Sequence, residues 1–89
     1  MHVEKVLVVD DEAATRRLME QTLRKQGYEE VLASNGDDGL KMVLEEIPDV
    51  TILDIQLPGM NGIELLQKIR ELNSETVVIM ASAMDDLKV

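Results

Sequence analysis

The sequence predicts an α/β domain, a doubly wound parallel sheet with helices on both faces. Three observations predict it: short apolar runs alternate with segments of helical period, each change of period is marked by Gly, Pro, Asn or Asp, and two of the runs close on aspartates. Runs such as KVLVV and VTIL are almost continuously apolar, the pattern of strands buried on both faces of a parallel sheet. Strands alternating with helices at this spacing imply right-handed βαβ units.

The first strand is read over residues 5–9 (KVLVV) and is closed by Asp10 and Asp11. Between Glu12 and Gln26, Ala14, Leu18, Met19, Thr22 and Leu23 recur at helical spacing, and Gly27 stands where a helix commonly ends in a left-handed turn. Residues 30–34 (EVLAS) read as a shorter strand, followed by Asn35 and Gly36 as a turn. A second helix from Gly39 to Ile47 carries Leu40, Val43, Leu44 and Ile47 on one side and is ended by Pro48. Residues 50–53 (VTIL) form the third strand, with Asp54 directly after it. The segment IQLPGMNG packs one Pro and two Gly into a tight loop, and a third helix runs from Ile63 to about Leu72. Residues 76–80 (TVVIM) form a fourth strand, and residues 81–86 (ASAMDD) a loop of small and acidic side chains.

A chain of 89 residues is expected to form one domain, residues 1–89. Its core is thin, because a chain of this size buries only about 60 to 65% of its unfolded surface. Tyr28 is the single aromatic residue, so the interior is built from Val, Ile, Leu, Ala and Met, and the six methionines read as core filler. Eighteen acidic residues against nine basic give a net charge of −9. That balance argues against sequence-independent binding to nucleic acid or to anionic membrane, and suits a cation or a basic partner. The absence of cysteine excludes disulfides and thiolate metal sites. The N-terminal MHVEKVLVVDDE reads as neither signal peptide nor membrane span, so a cytoplasmic location is expected.

In open parallel sheets, ligands bind outside the carboxyl ends of the strands. The residues at those ends are Asp10 and Asp11 after the first strand, Asp54 after the third and Ser82 beyond the fourth. If the first and third strands are neighbours, their terminal aspartates approach closely, adjacent strands being about 4.8 Å apart. Two such charges repel by about 4 kcal/mol at a separation of about 4 Å in an effective dielectric near 20. A cluster of this kind keeps a proton or binds a cation. With oxygen ligands only, magnesium is the preferred ion, and manganese or calcium could substitute. Each residue also has a plainer reading: Asp11 as a helix cap, Asp54 as a turn residue, Ser82 as an ordinary polar residue after a strand.

The motifs VLVVDDE, LDIQLPGMNGIELL and VIMASA, in this order and spacing, resemble the receiver domain of bacterial two-component response regulators over about residues 5–84. The resemblance implies a flavodoxin-like strand order 2-1-3-4 and a signalling module of a phosphorelay rather than an enzyme. It implies that Asp54 accepts phosphate from a sensor histidine kinase, a phosphotransfer protein or a small phosphodonor. Asp11, Asp54 and the backbone carbonyl of Gln56 would bind magnesium directly, Asp10 would reach it through water, and Ser82 would be the hydroxyl that turns toward the phosphoryl group. Pro58, Gly59 and Gly62 would shape the loop beneath the site.

Receivers also have a fifth strand ending in a lysine, and fourth and fifth helices, which this sequence lacks apart from residues that could start helix four. Lys5 stands at the wrong end of the first strand, about 15 Å from the aspartates, and Lys88 lies in a tail. Without a fifth strand, residues 76–80 are expected to present an unpaired apolar edge, and the chain to self-associate, swap elements or complete its sheet with a partner segment. Two alternatives stand beside the phospho-accepting module. One is a non-phosphorylated, metal-binding assembly module. The other is a magnesium-dependent phosphohydrolase, the weakest reading, because no general acid–base residue follows Asp54 and no cap insertion is present.

Overall fold

A computed structural model of the chain describes residues 4–72 and 74–81. The apolar runs become the strands β1 (Lys5–Val9), β2 (Glu29–Ala33), β3 (Val50–Asp54) and β4 (Val77–Ala81), and the periodic segments the helices α1 (Ala13–Lys25), α2 (Gly36–Glu46) and α3 (Gly62–Glu71). The sheet is parallel throughout, in the order β2-β1-β3-β4. Its strand order is the one the family resemblance implied.

Central β1 is the most deeply buried strand, with Val6, Leu7, Val8 and Val9 all buried. Alternate residues point to opposite faces. Leu7, Val9, Ala33 and Leu53 join Val43 of α2 and Leu65 and Ile69 of α3 in the main apolar cluster, while Val6 and Val8 face the other way. Helix α1 lies against β1 and β2 on that second face. No residue of α1 is fully buried. On the α1 side, Val6 and Val50 align with Val77, and Val8 and Ile52 with Ile79. Val77 and Ile79 remain 59% and 49% exposed.

Helix α2 begins at Gly36, three residues before the sequence reading placed it. The reason is Asn35, whose side chain accepts a hydrogen bond of 2.8 Å from the backbone N–H of Asp38 and so caps the helix. Asn61 caps α3 in the same way, accepting from the N–H of Glu64 at 2.9 Å. Strand β2 lies one residue earlier than expected and β4 one residue later. Thr76, expected to open β4, instead places its hydroxyl 2.9 Å from that of Thr51, and both side chains are buried. At the far end of α2, Ile47 adopts a left-handed conformation with φ 48° before Pro48.

Candidate functional site

Pairing of Val9 with Leu53 sets the carboxyl ends of β1 and β3 side by side, so Asp10 and Asp54 emerge from adjacent strands. Asp11 follows on the loop to α1. One carboxylate oxygen from each of Asp10, Asp11 and Asp54 lies within 4.8 Å of the others. The structure therefore brings together three of the predicted site residues. Ser82 lies outside the described residues, as does Lys88.

Each strand-terminal aspartate spends one oxygen on its own loop. Asp10 Oδ1 accepts from the N–H of Glu12 at 2.9 Å, and Asp54 Oδ1 accepts from the N–H of Gln56 at 3.1 Å. Asp54 is thus a turn residue and a member of the cluster at once. Asp11 is exposed and is not a helix cap, because the N-cap of α1 is Glu12, which makes no side-chain capping bond. Asp10 is further held by its N–H, which donates to the carbonyl of Ala33 at the end of β2 at 3.1 Å.

Burial pushes the Asp10 carboxyl above its ordinary range, and the neighbouring charges of Asp54 and Asp11 push it the same way. The N–H of Glu12 and the guanidinium of Arg16 pull against that rise. Three hard oxygen donors, converging while resisting one another's charge, suit a small divalent cation such as magnesium. Any of the donors that protonates as pH falls leaves such a site.

The loop beneath the cluster is built close to the backbone. The N–H of Gly62 donates to the carbonyl of Ile55 at 2.8 Å. A methyl group on Gly62 would overlap the carbonyl oxygen of Asp54 and lie 2.9 Å from Cα of Ile55. Gly59 turns the loop with φ 76°. The need for both glycines in IQLPGMNG is therefore met by position: one turns the chain, the other lets α3 start against the end of β3.

Lys5 is committed elsewhere. At the opposite end of β1 its Nζ pairs with Glu46 at 3.2 Å and Glu29 at 3.6 Å, and its N–H donates to Asp49 Oδ2 at 2.8 Å. The bond to Glu46 above all raises the lysine's pKa. Arg16, which sequence reasoning passed over, instead reaches the edge of the site: its Nη1 donates to the backbone carbonyl of Asp10 at 2.7 Å. Nothing in the sequence signals a bond to a main-chain oxygen, beyond the position of Arg16 one turn into α1.

A family profile described as the response regulator receiver domain matches residues 6–89. Among curated proteins, the chain is 38% identical over 84 residues to sporulation initiation phosphotransferase F of Bacillus subtilis, covering 94% of this chain and 68% of that protein. It is 44% identical over 84 residues to a Guillardia theta protein named "Probable transcriptional regulator ycf27", covering 94% of this chain but only 33% of that protein. It likewise spans 37% of the Streptomyces coelicolor transcriptional regulatory protein AfsQ1. Among solved structures, the response regulator domain of Thermotoga maritima CheB superposes with a TM-score of 0.86 at 36% identity, over 93% of this chain and 63% of that one. A CheY-like receiver domain protein from Methanospirillum hungatei superposes with a TM-score of 0.87 at 30% identity, over 97% of this chain and 71% of that one.

Proposed function

The chain belongs to the response regulator receiver domain family, and from that premise we propose that Asp54 is the residue that accepts the phosphoryl group, in a magnesium-dependent reaction. The observation that carries this reading is the convergence of Asp10, Asp11 and Asp54 within 4.8 Å at the ends of β1 and β3. Asp54 is the last residue of its strand, and one oxygen is tied to the N–H of Gln56, which leaves the other for the site. That free oxygen attacks the phosphorus of the donor. A new P–O bond to Asp54 forms as the donor's P–N or P–O bond breaks, and the leaving imidazole or acid keeps the bonding electron pair. A carboxylate needs no general base for this step. Hydrolysis later returns the carboxylate and inorganic phosphate.

Asp11, Asp54 and the carbonyl of Gln56 would hold magnesium directly and Asp10 through water. When bound, the ion supplies positive charge that orients and neutralises an incoming group of charge about −2 beside an acidic cluster. Ser82 would be the hydroxyl that turns toward the new anion, and its movement the local event read by a partner. The donor would be a sensor histidine kinase, a phosphotransfer protein or a small phosphodonor, and the chain would act in the cytoplasm. No helix among the described residues is long and apolar enough to cross a membrane.

Incubation with a small acyl phosphate should add the mass of one phosphoryl group in the presence of magnesium and none in the presence of a chelator. Incorporation that survives chelation would contradict the metal-dependent reading. Steady release of phosphate from many unrelated phosphoesters would favour a phosphohydrolase instead.

A second surface supports an assembly role alongside phosphorylation. Among the described residues β4 pairs with β3 alone, and Val77 and Ile79 are 59% and 49% exposed. A second copy of the chain, docking on this edge and face, would cover them.

A further inference from the structure

The Asp10 carboxylate is tied to the N–H of Glu12, but the helix that follows the loop lacks the usual fastening. Helix α1 has no side-chain N-cap and no acidic residue in its first turn, although its unsatisfied N–H groups would favour both. Among the described residues, none hydrogen-bonds the Asp11 carboxylate, so its direction depends on the peptide it hangs from. That peptide begins at the carbonyl of Asp10, which receives the charge-assisted bond of 2.7 Å from Arg16 Nη1. Arg16 is half-buried and sits one turn into α1, so the bond ties the helix back across its own entry loop.

We infer that Arg16 is a positioning residue for the metal centre: by holding the Asp10 carbonyl it fixes the Asp10–Asp11 peptide and with it the direction in which the Asp11 carboxylate meets those of Asp10 and Asp54. This inference rests on the proposed metal-dependent reading. It is the second layer of a metal site, in which a group that touches no ion sets the geometry of those that do. Loss of such partners commonly weakens metal affinity by about 10- to 100-fold.

The competing reading is charge alone, and it has the opposite sign. A guanidinium close to a cation site repels the cation, so if Arg16 acted only through its charge, removing it would tighten binding. Positioning predicts weaker binding when the same charge is removed. Arg17, exposed and adjacent in sequence, offers a control with an identical change of charge.

The test is magnesium titration of the 89-residue chain by calorimetry or by amide NMR shifts, in wild type, Arg16→Gln, Arg16→Lys and Arg17→Gln. Arg16→Gln should weaken binding by about tenfold or more, Arg16→Lys should recover part of the loss, and Arg17→Gln should leave binding unchanged or slightly tighter. The amides of Asp11 and Glu12 should shift in Arg16→Gln before any metal is added. Should Arg16→Gln fail to fold, the intermediate affinity of Arg16→Lys still decides, since equality with wild type would overturn the proposal. Wild-type binding with equal or tighter binding by Arg16→Gln overturns it alone. Absence of magnesium binding by wild type overturns the metal reading, and this inference with it.

Discussion

Asp10 is a charge that its surroundings resist. Its carboxyl is raised above the ordinary value of 3.8, first by burial and then by Asp54 and Asp11. A group whose folded-state pKa is raised favours the fold below its unfolded value and loses that contribution as pH climbs through the folded value. Above that raised value, therefore, ionised Asp10 destabilises the metal-free protein. Asp10→Asn, which keeps an oxygen for the N–H of Glu12, should raise the thermal midpoint of the metal-free chain by a few degrees. The same substitution should shrink the stabilisation gained on adding magnesium, and the two melting curves with and without the ion check both halves. In wild type, magnesium affinity should fall as pH is lowered through the raised range of Asp10. Asp10, Asp11 and Asp54 were legible in the sequence because each ends or follows an apolar run, and strand ends are where an open sheet collects its ligands. Arg16 was not legible, because its partner is a main-chain oxygen that no side-chain pattern announces.

At the scale of elements, boundaries were set by hydrogen bonds that compete with periodicity. Asn35 and Asn61 each precede a glycine and stand three residues before an acid whose N–H they cap, a pattern present in NGDD and NGIE but obscured in the first case by the turn-forming look of Asn-Gly. Thr51 and Thr76, a polar pair within apolar runs, give no periodic signal, yet their hydroxyls meet in the interior at 2.9 Å. Thr51→Val leaves the Thr76 hydroxyl unpaired and should cost about 1–3 kcal/mol, whereas the double substitution with Thr76→Val should restore much of the loss. Urea unfolding of the four proteins completes the cycle. Ile47 is a different case: a β-branched residue at φ 48°, 78% exposed, gains little from burial and bears the strain of a left-handed cap. Ile47→Asn should stabilise the chain by about 0.5–1 kcal/mol in the same assay.

Among the described residues, the sheet has unequal cover. Helices α2 and α3 bury Leu7, Val9 and Leu53 on one face, while α1 lies over β1 and β2 on the other. Val77 and Ile79, aligned with Val6 and Val8 through β3, stay exposed there. If a second copy covers them, sedimentation at micromolar concentration should find a dimer or larger species, and Val77→Lys with Ile79→Lys should return it to monomer; a wild-type monomer would end that proposal. The parallel order was foreseeable from alternating elements and a family resemblance, but the distribution of cover was not, since one-dimensional periodicity marks which side of a helix is apolar without saying how much of a sheet it reaches. The proposed function rests on one carboxylate at the end of β3, Asp54. The most direct test is to phosphorylate the chain with a small acyl phosphate and magnesium and to locate the added group by peptide mass mapping. A single phosphoryl group on Asp54 in wild type and none in Asp54→Asn is the expected result; phosphorylation at another residue, or undiminished incorporation in Asp54→Asn, would contradict the assignment.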